Sequence, residues 1–158
     1  MSKLFEKFWA WYERHYTLNV TIAAILFTLQ IVHLYWLTTH VVTVRLWRLD
    51  LFSPPPFWET IIIIIDYTEI PAIITTSLVY INDLRKGYKF KPLLYLFFLD
   101  IQLLHIFWIT DEFVLETFTG VNGETILPTW LAWIAILIDY LELPVIFETV
   151  YKALLRFK

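Results

Sequence analysis

Apolar residues are grouped into four long stretches, and short polar segments separate them. The stretches run 15–44, 60–82, 92–110 and 125–151, and none contains Lys or Arg. Each is long enough to cross a hydrocarbon core as a helix, which takes about 20 residues. A soluble four-helix bundle would instead show Lys and Glu at regular intervals on its outer face. We therefore predict an all-α fold, a polytopic membrane four-helix bundle in one domain covering residues 1–158.

The second half of the chain repeats the polar pattern of the first half. The string QIVHLYWLT recurs as QLLHIFWIT, and IDYTEIP recurs as IDYLELP. Residues 15–82 and 92–155 thus form two tandem helix-pair repeats. Because each repeat crosses twice, both enter the membrane with the same polarity. This predicts a pseudo-twofold axis along the membrane normal.

The repeated residues are mainly ionisable or amide side chains at membrane depth. Gln30 and His33 are three positions apart, as are Asp66 and Glu69, so each pair shares a helical face. His33 and Asp66 each lie about nine residues from the same membrane boundary, which is about 13 Å at 1.5 Å per residue. Ionisable groups inside a membrane are costly and usually functional. We predict one central site of six residues: His33, Asp66, Glu69, His105, Asp139 and Glu142.

Two imidazoles and four carboxylates are also the ligand inventory of the ferritin-like di-iron and di-manganese proteins, although there the histidines and acids share helices. Four ionised carboxylates would balance two divalent ions, and Fe, Mn or Zn suit these donors. We expect the surrounding repeated residues to hydrogen-bond the ligands or to line the site. These are Gln30, Gln102, Tyr67, Tyr140, Trp36 and Trp108.

Two further features of the repeats bear on this site. His40 and its counterpart Glu112 lie seven residues beyond the repeated histidines and predict an entry path for a metal or a proton. Pro71 and Pro144 follow the carboxylate pairs and should kink their helices. The kink would leave the carbonyl groups of Tyr67 and Tyr140 without their usual donors.

The function expected from this site is oxidoreductase chemistry on a membrane-soluble substrate such as a lipid, an isoprenoid or a quinone. A metallohydrolase is a variant of this interpretation, and no residue besides the metal ligands is identified as catalytic. The main alternative is proton or cation translocation through the same acids. A second alternative is one haem b ligated by His33 and His105, and a third is a structural network of neutral polar groups.

Charge distribution predicts the orientation. Arg45 and Arg48 fall on one side of the predicted bundle, and ten basic residues fall on the other, which puts both termini in the cytoplasm. Residues 1–14 combine a charged and an aromatic face, as an interfacial amphipathic helix does. The absence of Cys excludes thiolate sites. Nothing in the charge pattern indicates a nucleic-acid partner, so membrane lipids are the expected surroundings, and the oligomeric state stays open.

Overall fold

The computed structural model describes residues 3–110 and 129–157, and every secondary-structure element within these ranges is helical. A π-helical segment, Leu37–Val42, joins the second helix to the third. The helices are α1 (Lys3–Arg14), α2 (Tyr16–Trp36), α3 (Thr43–Trp47), α4 (Pro56–Tyr67), α5 (Glu69–Arg85), α6 (Phe90–Asp100), α7 (Leu103–Ile109), α8 (Thr129–Tyr140) and α9 (Glu142–Leu154).

These helices form four spans that are long and apolar enough to cross a membrane, as the sequence predicts. Span 1 is Tyr16–Trp47, span 2 is Pro56–Arg85, span 3 is Phe90–Trp108 and span 4 is Trp130–Leu154. Spans 1 and 3 each pack against spans 2 and 4. The four spans therefore surround a common interior.

Many large apolar side chains lie on the outer surface, although the interior also has an apolar core. Large apolar side chains such as Ile64, Phe107 and Phe147 are 59%, 72% and 72% exposed. Conversely, His33, Asp66 and other polar residues of the repeats are buried in the interior. An exposed apolar surface this extensive needs a nonaqueous environment, which supports a membrane location.

Proline separates the two helices within spans 2 and 4 at equivalent positions. Pro71 and Pro144 each occupy the third position of their helix, α5 and α9. Proline is tolerated in a first turn because N–H groups there have no partner within the helix. The helices preceding them end at Tyr67 and Tyr140. The predicted kinks are therefore present, as breaks centred on Thr68 and Leu141.

Two irregularities in the helical spans were not predicted from the sequence. Span 3 is interrupted at Ile101–Gln102, although no proline lies there. Span 1 widens into the π-helical segment just after Trp36. Such π-helical turns are frequent at functional sites, and this one begins a single turn beyond His33.

Helix α1 packs on the bundle through Trp9 and Tyr12, which are 4% and 2% exposed. The Arg85 guanidinium lies 4.3 Å from the centre of the Trp9 ring, and burial raises the pKa of the Tyr12 hydroxyl. The predicted helix at 1–14 is thus present over Lys3–Arg14, and its interfacial position stays a prediction.

Substituting Trp9 with alanine is expected to release α1 from the bundle. Trp→Ala at a buried position costs about 3–5 kcal/mol, so local opening of α1 should rise by more than about tenfold. Tryptic cleavage at Lys7 under native conditions measures this opening. Trp11→Ala is the matched control, because Trp11 is 53% exposed, and equal cleavage of the two variants would contradict the packing of α1.

Candidate functional site

The two repeated histidines and the two repeated aspartates meet at the centre of the bundle. His33 comes from α2, Asp66 from α4, His105 from α7 and Asp139 from α8. Each is at most 1% exposed. Asp66 and Asp139 are the penultimate residues of their helices, so the proline-induced breaks lie directly beside them.

Each imidazole lies between the two aspartates. The His33 Nδ1 is 3.0 Å from Asp66 Oδ1, and its Nε2 is 3.0 Å from Asp139 Oδ2. The His105 Nε2 is 3.5 Å from Asp66 Oδ1, and its Nδ1 is 3.6 Å from Asp139 Oδ1. Each histidine thus turns Nδ1 to the aspartate of its own repeat and Nε2 to the aspartate of the other repeat. The centres of the two imidazole rings are 5.2 Å apart.

Glu69 and Glu142 extend this group, since each begins the helix that follows the break. Both are 1% exposed. Glu69 interacts electrostatically with Glu142 and with both aspartates, and Glu142 interacts with both histidines. Both carboxylate oxygens of Glu69 and the Oε1 of Glu142 are buried with no hydrogen-bond donor among the described residues. Such oxygens are available to a proton or to a metal ion.

The side chains of the repeated glutamines hydrogen-bond backbone carbonyls beside the breaks in spans 2 and 4, instead of the predicted metal ligands. Gln30 Nε2 donates to the carbonyl of Ile65 at 3.2 Å and to Thr68 Oγ1 at 3.0 Å. Gln102 Nε2 donates to the carbonyl of Ile138 at 2.9 Å. The glutamine amides therefore donate to the carbonyls of Ile65 and Ile138. They do not donate to the carbonyls of Tyr67 and Tyr140, which were expected to lack their usual donors. Each of the accepting carbonyls also accepts a backbone N–H at the break, from Thr68 at 2.9 Å and from Leu141 at 2.8 Å, so the glutamine amide is an additional donor there.

The repeated tyrosines connect the two repeats and do not act as predicted either. Tyr67 Oη lies 2.6 Å from Thr110 Oγ1, and Tyr140 Oη lies 2.7 Å from Thr38 Oγ1. Each tyrosine thus hydrogen-bonds a threonine on the other repeat. Thr38 and Thr110 each end one of the two repeated strings, QIVHLYWLT and QLLHIFWIT. Their repetition was the feature of the sequence that could have indicated these contacts.

We expect Gln102→Leu to weaken the bundle without disturbing the cluster of histidines and carboxylates. The substitution replaces the amide with a shorter apolar side chain and removes the donor to Ile138, and hydrogen bonds between membrane helices contribute about 0.6–1.7 kcal/mol. Thermal unfolding in detergent, followed by circular dichroism, measures the loss. Gln102→Glu is the companion variant, because it also removes the Nε2 donor but keeps the side-chain length. Equal stability of wild type and Gln102→Leu would show that the hydrogen bond to Ile138 does not stabilise the bundle.

The two repeated tryptophans pack beside the histidines, and His40 packs on one of them. Trp36 and Trp108 are 1% exposed, and their ring centres are 5.7 Å and 5.4 Å from those of His33 and His105. His40 stacks on Trp36 with the ring centres 5.8 Å apart, and its Nδ1 lies 3.0 Å from Asp50 Oδ1. Its side chain is 28% exposed, and its role on an entry path stays a prediction. Glu112 lies outside the described residues.

Three of these residues could hold a metal ion. His33, Asp66 and His105 each offer one donor atom, and the three atoms lie within 4.8 Å of one another. Ligand bonds of about 2.0–2.2 Å at octahedral or tetrahedral angles put neighbouring donors about 3.0–3.5 Å apart. Three of the four nitrogen–oxygen distances, at 3.0, 3.0 and 3.5 Å, lie in this range, and the fourth is 3.6 Å. Of the four nitrogen–oxygen pairs, only His33 Nε2 and Asp139 Oδ2, at 3.0 Å, form a hydrogen bond.

Comparison with protein-family models, with curated proteins and with solved structures gives no match. The inventory and geometry of the buried side chains are therefore the basis for inferring a function.

Proposed function

We propose that this chain is an integral membrane metal-carboxylate protein, in which the six-residue cluster holds two divalent ions of Fe, Mn or Zn. The observation that carries the proposal is the placement of each imidazole between the same two buried aspartates, with two further glutamates beside them. The two repeats would each supply one His, one Asp and one Glu about a pseudo-twofold axis.

Charge balance favours metal ions over a purely hydrogen-bonded cluster. Four ionised carboxylates carry a charge of −4, and two fully protonated imidazoles would offset only half of it. A metal-free cluster would have to keep carboxylic acids protonated, since isolated buried charges are strongly destabilised. Two divalent ions would neutralise four carboxylates and bind the glutamate oxygens that have no donor among the described residues.

An oxidoreductase acting on a membrane-soluble substrate is the activity that we propose for this centre. Iron or manganese would supply one-electron chemistry. The buried side chains would fix the ligand geometry, and the lipid-exposed apolar surface would give lipids, isoprenoids or quinones access from the membrane. Trp36 and Trp108 would exclude water beside the imidazoles. Both termini would face the cytoplasm, as the charge distribution predicts.

Proton or cation movement is the second candidate, and the alternation of imidazoles and carboxylates favours it. Each of the four nitrogens faces an aspartate oxygen, so a proton could pass from one residue to the next. Haem b fits this geometry less well, because the same nitrogens would have to turn from the aspartates to the iron.

Oxygen consumption by the purified, Fe²⁺-loaded protein with a short-chain quinol tests the proposed activity. We expect uptake by the wild type, loss in Asp139→Asn and retention in Asp100→Asn, whose aspartate is exposed on α6. Metal-independent proton flux into proteoliposomes, lost in Asp139→Asn, would instead support translocation. Absence of both activities would contradict both candidates.

A further inference from the structure

A second polar feature lies at the end of the bundle where spans 2 and 3 are joined. It is a cavity of about 800 Å³ formed by the start of α2, the end of α5, the segment before α6 and the end of α9. Pockets that bind small ligands or lipid headgroups occupy about 300–1,000 Å³. We call it the basic cavity, because five cations line it: Lys86, Lys89, Lys91, Lys152 and Arg156.

Carboxylates neutralise only part of this charge. Lys152 is paired with Asp83, and Lys91 Nζ lies 2.7 Å from Glu148 Oε2. These are the two acidic residues in the cavity lining. Lys86, Lys89 and Arg156 have no carboxylate partner among the described residues, which leaves an excess of three positive charges around one concavity.

An aromatic side chain holds two of these three cations at the cavity. Lys86 Nζ lies 5.0 Å and Arg156 Cζ lies 4.8 Å from the centre of the Tyr16 ring. A cation over an aromatic face is attracted to the ring electrostatically, and Arg156 also hydrogen-bonds the Tyr16 side chain. Tyr16 thus brings a lysine from the end of α5 and an arginine from the end of α9 to the same part of the cavity.

We propose that the basic cavity binds the phosphate group of an anionic ligand through Lys86, Lys89 and Arg156. Ammonium and guanidinium groups are the side chains that recognise phosphate, and the planar guanidinium can donate two parallel hydrogen bonds to it. The rim includes Leu155 and Tyr151, which are 49% and 58% exposed. These side chains suit the acyl chains of an anionic lipid, whereas a soluble phosphate would use the cations alone.

Native mass spectrometry of the full chain tests the proposal with phosphatidic acid, with phosphatidylcholine of the same acyl chains and with inorganic phosphate. We expect phosphatidic acid to bind at least about tenfold more tightly than phosphatidylcholine, because the choline ammonium of phosphatidylcholine offsets its phosphate charge and would be repelled by the cations of the cavity. Lys86→Gln/Lys89→Gln should remove this preference. Both lysines are exposed, so the variant should fold.

Lys3→Gln/Lys7→Gln is the matched control, since it removes two exposed charges from α1, which packs near the same end of the bundle. Its affinity for phosphatidic acid should stay within about twofold of wild type. Displacement of the lipid by inorganic phosphate would assign the cavity to a soluble phosphate ligand, and its failure would assign it to a lipid headgroup. Equal binding of both lipids without binding of phosphate, or an equal loss in both variants, would overturn the proposal.

Discussion

Alanine at Asp66 or Asp139 is expected to remove metal binding and to destabilise the bundle strongly. Each aspartate contacts both imidazoles, so one substitution takes a carboxylate away from two buried groups at once. Removing one partner of a buried ion pair costs about 3–5 kcal/mol. Loss of a residue that only hydrogen-bonds a metal ligand lowers metal affinity about 10–100-fold. Because Asp66 and Asp139 are proposed as direct ligands, their loss should lower the affinity further.

Thermal unfolding in detergent and competition with a metal indicator dye measure the two effects. Because each aspartate lies 3.0 Å from a His33 nitrogen and 3.5–3.6 Å from a His105 nitrogen, the two variants should lose similar amounts of stability and of affinity. Asp100→Ala is the matched control, since that aspartate is exposed on α6. Metal affinity that survives in Asp66→Ala and disappears in Asp139→Ala would mean that the repeats do not share one site.

Removal of the proposed metal ions from the wild-type protein has the second large expected effect. A ligand at about 1,000 times its dissociation constant stabilises the folded state by about 4 kcal/mol. Chelation also leaves four carboxylates in one buried cluster, which adds repulsion. Treatment with a chelator should therefore lower the unfolding temperature, and restoring Fe²⁺, Mn²⁺ or Zn²⁺ should raise it again.

The double variant His33→Ala/His105→Ala separates metal loss at the cluster from any action of the chelator on the membrane surface. It lacks both imidazoles, so its unfolding temperature should not respond to chelator or metal. His15→Ala retains the cluster and should respond as the wild type does, because His15 lies at the junction of α1 and α2. An equal response of the wild type and the double variant would contradict metal binding at the cluster.

Much of the bundle follows from the sequence because hydrophobicity determines what crosses a membrane. The four apolar stretches correspond to the four spans, although span 1 continues to Trp47 and span 2 begins earlier, at Pro56. Proline at position 71 or 144 cannot continue a regular helix, so the breaks beside the carboxylates were also predictable. The break at Ile101–Gln102 and the π-helical segment have no such local signal, and packing between spans decides them.

The composition of the site was predictable for a different reason. Duplication marked His33, Asp66 and their counterparts within segments where any buried charge is costly, and helical periodicity put them at one depth. Their supporting contacts were not predictable. Whether Gln30 reaches a carboxylate or the carbonyl of Ile65 depends on the position of the helix break to within one residue, and periodicity does not define that position.

The number of metal ions bound to the purified chain is the most direct test of this account. Elemental analysis of wild type beside Asp66→Asn/Asp139→Asn should find about two Fe, Mn or Zn ions per wild-type chain and a marked loss in the variant. A wild-type chain that is free of metal, and that still binds none after exposure to all three ions, would contradict the central claim.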